Sequence, residues 1–202
     1  MKTNKEEKYH ASDLKASIID VASKLLINDG IEAITMRSIA SELGVSRGAP
    51  YRHFVDKHEL LCSVSQYSFE LLNASMLNLS PKRGEPKGEL YQLGKKYIDF
   101  CLSYPALYHL MFNNTELSNN QTTELSVSAY KVFHQLETLL VKFQQECVIK
   151  KEDANLQANY VWSSLHGYCC LLLTQEAKKV ETLVANQEFF LEKIWISLCT
   201  NR

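Results

Sequence analysis

The sequence predicts an all-α fold, and the scarcity of helix-breaking residues in its second half is the main reason. Residues 95–202 contain a single proline, Pro105, and a single glycine, Gly167, whereas a β-rich segment of that length would need many turns built from these residues. Apolar residues in this half also recur every three or four positions, which places them on one face of a helix. The longest row comprises Tyr130, Phe133, Leu136, Leu140, Phe143 and Cys147.

Composition limits the class of protein. Of the 202 residues, 46% are hydrophobic and 22% are charged, a mixture typical of a globular chain with a buried core. The net charge is −1, so a nucleic-acid site would need a local concentration of basic residues. The sequence has no run of about 20 apolar residues and no signal-peptide pattern, and its six cysteines include no C-x-x-C pair. We therefore expect a cytoplasmic protein with reduced thiols and no membrane segment.

Two units are predicted, separated by the segment 80–89, which holds two prolines, two glycines and five charges. We expect an N-terminal unit over residues 12–75 and a larger C-terminal unit over residues 89–202. Helices of the N-terminal unit should be short, because residues whose side-chain oxygen can cap a helix recur along it. These caps are Ser12, Thr35, Ser46 and Asp56, with Glu59 completing a capping box and with Asn28–Gly30 and Gly44 as stops.

Residues 35–54 have the features of a helix-turn-helix motif. Ile39 and Leu43 lie one helical turn apart and would face the core, and the small Ala40 permits a close helix crossing. Gly44 can adopt the left-handed conformation that a sharp turn requires. Ser46 would then begin a second helix, whose exposed residues suit a major groove and phosphates. These residues are Arg47, Gly48, Tyr51, Arg52 and His53, followed by Lys57.

The charge of this segment is modest, because four basic and two acidic residues lie between Thr35 and His58. A helical hairpin with a solvated polar face would show a similar pattern, so spacing alone leaves both DNA binding and a purely structural hairpin open. Pro50 falls in the first turns of the second helix and has no backbone N–H, which predicts a distorted or shifted start.

The order of residues in this region resembles the DNA-binding domain of the TetR family of bacterial transcriptional regulators. The shared pattern is T-x-R-x-I-A from Thr35, G-V-S-x-G-x-x-Y-x-H-F from Gly44, and K-x-x-L-L from Lys57. The resemblance implies two sets of DNA contacts. The phosphate set is Thr35, Tyr51, His53 and Lys57, and the base-edge set is Arg37, Arg47, Gly48 and Ala49.

The C-terminal half resembles the regulatory domain of the same family. Trp162–Gly167 is similar to the W-x-x-x-H-G element of one subgroup, and Tyr104–Tyr108 is similar to an earlier helix junction there. The resemblance implies a repressor that binds a palindromic double-stranded DNA operator as a homodimer and releases it when a ligand binds. We expect no cofactor and, since no catalytic motif occurs, no enzyme activity. The alternative is a helical ligand-binding or redox-responsive protein that does not read DNA.

Aromatic and polar side chains of the C-terminal half predict an apolar cavity for a small lipophilic effector, neutral or singly charged. Pro105 interrupts the helix beside this region and would leave room that straight helices fill. The alternative is a dry core in which His166 bonds a backbone carbonyl. The expected cavity residues are Phe100, Tyr104, Tyr108, Met111, Phe133, Trp162 and His166.

The last two long helices, about 154–176 and 187–200, carry more apolar surface than one chain is expected to cover, so we predict a homodimer interface there. Packing on the chain's own core is the alternative. The predicted interface residues are Leu172, Phe189, Trp195 and Leu198. His166 and Cys170 lie four residues apart and could share a soft metal, but no further ligand accompanies them. A packed histidine beside core thiols is therefore favoured, and we expect no metal site.

Overall fold

The computed structural model describes residues 11–77, 85–114, 117 and 122–199. In these ranges nine α-helices have both ends described, two short 3-10 helices accompany them, and no strand occurs, which confirms the predicted all-α fold. No helix in the described ranges is long and apolar enough to cross a membrane. In chain order the elements are α1 (Ala11–Asp29), a 3-10 helix (Ile31–Ala33), α2 (Met36–Glu42), a second 3-10 helix (Pro50–Arg52), α3 (Lys57–Leu77), α4 (Pro86–Ser103), α5 (Pro105–Phe112), α6 (Thr123–Gln145), α7 (Ala154–Thr174), α8 (Ala177–Ala185) and α9 (Gln187–Leu198).

Short-range hydrogen bonds begin α2 and α3 where the sequence predicts it. The Thr35 hydroxyl accepts the Ser38 N–H at 2.9 Å, and the Ser38 hydroxyl oxygen accepts the Thr35 N–H at 3.0 Å, which completes a capping box. The Asp56 carboxylate accepts the Glu59 N–H at 2.8 Å, and the Glu59 carboxylate accepts the Val55 N–H at 2.7 Å. Both predicted caps are therefore confirmed.

The turn that follows α2 is a Schellman motif. Gly44 has a φ of +64°, and the Val45 N–H donates to the Ala40 carbonyl at 3.0 Å. Glycine occupies this left-handed position without the steric cost that a Cβ would bring. The predicted stop at Gly44 is confirmed, but the predicted cap at Ser12 is wrong, because α1 already includes Ala11.

The apolar row on α6 is predicted correctly in its middle and wrongly at its ends. Leu136, Leu140 and Phe143 are buried, but Tyr130 is 59% exposed and Cys147 lies beyond the end of the helix at a φ of 55°. The five intervals between these residues average fewer than the 3.6 residues of one helical turn. The first and last residues of the row therefore point about 100° apart around the helix. Only the middle of such a row can face one core.

Helix α3 links the two halves of the molecule. It begins in the N-terminal unit, contacts α1 there, and packs along α4, α5 and α6 of the C-terminal half. Helix α7 packs against α4 and α6, and α9 packs against α4. The bounds of α7 and α9 agree with the two long helices that the sequence predicts at 154–176 and 187–200.

Candidate nucleic-acid interface and effector region

The segment between α2 and α3 has one apolar side that faces the core and one polar side that faces solvent. Pro50 and Phe54 are buried, whereas Tyr51 is 59% exposed. Helix α2 packs against the 3-10 helix Pro50–Arg52, so the two elements form one unit. Of the predicted DNA contacts, the exposed ones are Thr35, Arg37, Ser46, Arg47, Gly48, Tyr51 and Arg52, and the half-buried ones are His53 and Lys57.

The predicted second helix of the motif is not a regular α-helix. The Ala49 N–H donates to the Ser46 carbonyl at 2.9 Å, and the Arg52 N–H donates to the Ala49 carbonyl at 3.2 Å, so both bonds span three residues rather than four. Pro50 explains this geometry, because it has no N–H to donate and its ring would collide with the Ser46 carbonyl in an α-helix. The expected distortion at Pro50 is confirmed, and in place of the helix expected to begin at Ser46 the segment forms turns and the 3-10 helix Pro50–Arg52.

Ala49 does not lie on the solvent-facing side of this segment. Its exposed fraction is 7%, because the turn before Pro50 directs its methyl group inward. A side chain this buried has no surface for a base edge, which corrects the role that the resemblance implies for it. Arg47 and Gly48 remain exposed, and a Cβ added at Gly48 would meet no atom within 4 Å.

Lys57 bonds to the protein itself, a contact that sequence reasoning missed. Its Nζ donates to the Ile31 carbonyl at 2.9 Å, which ties the start of α3 to the 3-10 helix Ile31–Ala33. No sequence pattern marks this pair, because the two residues lie 26 positions apart. An ammonium group carries three N–H donors, so the bond to Ile31 leaves donors for a second acceptor such as a phosphate oxygen.

A hydrogen-bonded cluster joins α4, α5 and α7 inside the C-terminal domain. Tyr108 Oη lies 2.6 Å from His166 Nδ1 and 3.1 Å from Tyr97 Oη, and His166 Nε2 lies 3.5 Å from Cys170 Sγ. The sequence pointed to Tyr108 and His166 but not to Tyr97, which sits in an apolar helical row. Tyr108, and not the backbone carbonyl of the dry-core alternative, is the partner of His166.

Burial keeps the members of this cluster uncharged. It lowers the pKa of His166 below its ordinary value and raises the pKa values of Tyr97 and Tyr108 well above theirs, because a charged group loses its hydration in the interior. Burial also raises the pKa of the Cys170 thiol. The cluster therefore offers neutral hydrogen-bonding groups at neutral pH. Across the described part of the chain, no group of three or more His, Cys, Asp or Glu side chains is arranged to hold a metal ion.

Aromatic rings fill the space around the cluster. Ring centroids lie 4.8 Å apart for Tyr108 and Phe112, 5.0 Å apart for Phe112 and His166, and 5.2 Å apart for Tyr97 and Trp162, which are contact distances for aromatic pairs. Among the other expected cavity residues, Phe100 and Met111 are buried, Phe133 contacts Trp162, and Tyr104 is partly exposed beside Phe100. The region expected to be an open cavity is a packed core in this conformation, and a ligand would have to separate its rings.

Three of the four predicted interface residues face the chain's own core, so the prediction needs correction. Leu172 and Leu198 are buried, and the half-buried Trp195 has its ring centroid 6.1 Å from that of Phe143. Phe189 alone of the four is largely exposed, at 63%. The error arises because both sides of these helices are apolar, and periodicity does not tell which side the same chain covers.

A different apolar face of α7 and α9 is exposed. On α7, Leu156 and Tyr160 are four positions apart, and Leu171 follows eleven positions later. On α9, Phe189 and Ile196 are seven positions apart. These spacings place the exposed residues of each helix along one face. Gly167 belongs to the same row of α7, and a Cβ added there would meet no atom within 4 Å. The large exposed side chains of this face are Leu156, Tyr160 and Leu171 on α7, and Phe189 and Ile196 on α9.

The fold and the two regions together define a class of protein. A helix-turn-helix unit with exposed basic and aromatic residues, joined to a helical domain with an enclosed neutral cluster, is the architecture of a one-component transcriptional regulator. Residues 18–64 match the family model described as bacterial regulatory proteins, tetR family, and residues 90–189 match the model described as tetracyclin repressor-like, C-terminal domain. These matches together span more than half of the chain, which belongs to the TetR family of transcriptional regulators. Members of this family regulate transcription and are not enzymes.

Curated relatives agree with the family. An HTH-type transcriptional regulator of Staphylococcus aureus (strain bovine RF122 / ET3-1) is 25% identical over 182 residues, which cover 85% of this chain and 96% of that protein. An uncharacterized HTH-type transcriptional regulator of Bacillus subtilis (strain 168) is 30% identical over 131 residues, which cover 63% of this chain and 44% of that protein.

Solved structures share the fold. A protein of unknown function from Rhodococcus sp. RHA1 superposes with a TM-score of 0.81 at 23% identity, over 96% of this chain and 100% of that one. A TetR-family transcriptional regulator from Pectobacterium atrosepticum superposes with a TM-score of 0.68 at 19% identity, over 95% of this chain and 97% of that one. At these identities the likeness concerns the fold alone.

Proposed function

We propose that this protein is a ligand-responsive repressor that binds a palindromic DNA operator as a homodimer. The observation that carries the proposal is the two-sided segment between α2 and α3, where Phe54 is buried beneath the exposed Arg47, Tyr51 and Arg52. A buried base of this kind holds polar side chains outward in a defined arrangement, as a surface that reads DNA requires.

The exposed residues divide into two proposed roles. Arg37 and Arg47 suit base edges, because a guanidinium can bond both acceptors of guanine in the major groove, and Gly48 allows the backbone to approach the duplex closely. Ala49 supports the turn from inside. The residues proposed to bind phosphates are Thr35, Tyr51, His53 and Lys57.

A twofold dimer would cover the apolar face of α7 and α9. Gly167 lies between Tyr160 and Leu171 on that face, and its missing side chain would let a partner helix approach closely. Twofold symmetry matches a palindromic operator, since two recognition segments must lie about 34–36 Å apart to enter successive major grooves.

The ligand response is proposed to begin in the neutral aromatic cluster. A lipophilic molecule that enters it must separate the rings of Tyr108, Phe112 and Trp162, which displaces α5 from α4 and α7. Helix α5 also contacts α1 and α3, so its displacement reaches the DNA-binding unit. A ligand that favours another spacing of the two recognition segments lowers operator affinity.

The redox-responsive alternative has less support from the thiols of the C-terminal core. Cys101 and Cys169 are buried, and hydrogen bonding to Cys101 together with burial raises the pKa of Cys169. Thiols react with oxidants as thiolates, so the buried Cys169 thiol, whose pKa is raised, reacts slowly.

DNA binding is tested with a fragment from upstream of the gene that encodes this chain and with a random fragment of equal length. Lys57→Ala should weaken binding to both fragments and flatten the slope of log affinity against log salt by about one unit, because one phosphate contact is lost. Arg47→Ala should instead reduce the preference for the upstream fragment. Fluorescence anisotropy at several salt concentrations measures both effects.

The control for charge is Lys96→Ala, which removes a positive charge from the exposed side of α4 and should leave the salt slope unchanged. If Lys57→Ala and Arg47→Ala bind both fragments as the wild-type protein does, the proposed recognition surface is wrong.

The homodimer is tested by sedimentation velocity at low micromolar concentration. Gly167→Leu adds a Cβ that meets no atom within 4 Å on the monomer and favours the helix, so the fold should persist while a closely packed partner helix is displaced. We expect a dimer for the wild-type protein and a monomer for Gly167→Leu. Ser126→Leu, on the exposed side of α6, should remain dimeric, and a monomeric wild-type protein would refute the proposal.

A further inference from the structure

A cleft lies where the N-terminal unit meets α5. Its volume is about 540 Å³, within the range of small-molecule sites. It is separate from the aromatic cluster, because neither Tyr108 nor His166 lines it. The N-terminal unit contributes Leu26, Gly30 and Ile31, and α5 contributes Ala106, His109 and Leu110.

The N-terminal wall of the cleft is bonded to both ends of the DNA-binding motif. The Ile31 carbonyl accepts the Lys57 Nζ–H at 2.9 Å, at the start of α3, and the Ala33 carbonyl accepts the Ser38 hydroxyl at 2.8 Å, in the first turn of α2. A molecule that moves this wall therefore moves the residues proposed to contact DNA.

The opposite wall of the cleft is α5, whose two sides face different surroundings. Its residues Ala106, His109 and Leu110 line the cleft, whereas Tyr108 and Phe112 pack in the aromatic cluster. One short helix thus separates the cluster from the cleft, and a displacement caused at either site is transmitted to the other.

The lining of the cleft indicates the chemistry of its ligand. Leu26 and Leu110 are buried and form an apolar floor, and the described residues that line the cleft include no Asp, Glu, Lys or Arg. Asn113 Nδ2 lies 2.8 Å from His109 Nδ1; since an amide nitrogen can only donate, Nδ1 accepts this bond. With Nδ1 accepting, the hydrogen of the ring lies on Nε2, and His109, which lines the cleft, can donate it to a ligand.

We propose that this cleft binds a small uncharged molecule with an apolar body and one hydrogen-bond acceptor, and that its occupancy shifts the DNA-binding unit. Burial of the apolar body against Leu26 and Leu110 provides the affinity, and His109 orients the acceptor. The regulatory part of this proposal rests on the proposed DNA-binding function, whereas the binding part does not.

Acetophenone is the probe, because it combines an aromatic ring with one carbonyl acceptor, and benzoate is its charged counterpart of nearly equal shape. Spectra of the full-length protein with labelled Ala, Ile and Leu methyl groups should show acetophenone-dependent shifts at Ile31, Ala106 and Leu110. The expected dissociation constant is on the order of 1 mM for a ligand of this size. Benzoate should cause much smaller shifts, since the described residues that line the cleft include no Lys or Arg to pair with its carboxylate.

Single substitutions test whether acetophenone binds in the cleft. Ala106→Phe fills the cleft and should abolish the shifts at Ile31 and Leu110. His109→Ala changes an exposed residue, so the fold should be kept, and loss of one neutral hydrogen bond should weaken binding about threefold to tenfold. Tyr130→Phe changes an exposed ring on α6 that does not line the cleft, and it should bind acetophenone as the wild-type protein does.

Several results would overturn the proposal. These are an absence of shifts up to the solubility limit of acetophenone, shifts confined to methyl groups outside the cleft, or binding that neither Ala106→Phe nor His109→Ala changes. If Ala106→Phe does not fold, the affinity of His109→Ala for acetophenone decides whether the ligand binds in the cleft.

The regulatory part is read from affinity for the upstream DNA fragment, which acetophenone should change in the wild-type protein and not in Ala106→Phe. Binding to the cleft without any change in DNA affinity overturns the regulatory part only. A protein that binds acetophenone but no DNA contradicts the proposed function and leaves the site intact.

Discussion

The helix caps of the N-terminal unit and the buried cluster of the C-terminal domain depend on hydrogen bonds of very different range. In the N-terminal unit, the Thr35–Ser38 capping bond joins residues three positions apart. In the C-terminal domain, the Tyr108–His166 bond joins residues 58 positions apart. The comparison teaches that local sequence specifies the helix caps, whereas the buried cluster depends on how distant helices meet.

Polar groups of the two regions also face opposite ways. Arg47 and Tyr51 point to solvent, where a charged and hydrated partner can reach them. Tyr108 is buried and His166 is half-buried, and burial lowers the pKa of His166, which suits an uncharged partner. Substitutions of Arg47 or Tyr51 should therefore change DNA binding. Substitutions in the cluster of Tyr108 and His166 should change both the ligand response and the free energy of unfolding.

The largest expected effect contrasts the two sides of the segment between α2 and α3. Phe54→Ala removes a buried ring and should lower the free energy of unfolding by about 3–5 kcal/mol. Tyr51→Ala removes an exposed ring three residues earlier and should change it by less than about 0.5 kcal/mol. Urea denaturation measures both, and similar losses for the two variants would show that this segment is not two-sided.

A smaller effect is expected from a single oxygen atom in the buried cluster. Tyr108→Phe leaves His166 Nδ1 without its 2.6 Å partner and should cost about 1–3 kcal/mol, because the Tyr108 side chain is buried and its loss leaves a polar group unsatisfied. Tyr130→Phe removes a hydroxyl from an exposed ring on α6 and should be neutral. Unchanged stability of Tyr108→Phe would mean that the neighbouring Tyr97 takes over the bond.

Acidification should give the smallest effect, through His166. Burial lowers its pKa in the folded protein below the ordinary value of 6.5, so between the two values the unfolded chain binds more protons than the folded one. Stability should therefore fall as the pH drops below about 6.5 and level off below the folded-state pKa, with a slope of at most about 1.4 kcal/mol per pH unit.

The matched variant for this prediction is His166→Gln, which cannot take up the proton. Urea denaturation between pH 5 and pH 8, a range that spans the ordinary histidine pKa, should give a shallower pH dependence for His166→Gln than for the wild-type protein. Equal slopes would show that His166 is solvated or paired with a charge in the folded state.

Sequence reasoning failed where two sides of one helix look alike. It identified α7 and α9 as long apolar helices, but it placed Leu172 and Leu198 on an outer face when both are buried in the chain's own core. It also anticipated a distortion at Pro50 without showing that Ala49 would turn inward. Periodicity reports that a face is apolar, and only the positions of the neighbouring helices decide whether that face is covered.

The sequence by itself determined the helical class, the caps at Thr35 and Asp56, and the turn at Gly44, because each depends on residues within about one helical turn. Tertiary structure alone decided that Tyr97 joins the His166 cluster and that Lys57 reaches the Ile31 carbonyl. These contacts join residues on different helices, so they exist only after the chain has packed, and no local pattern of residues encodes them.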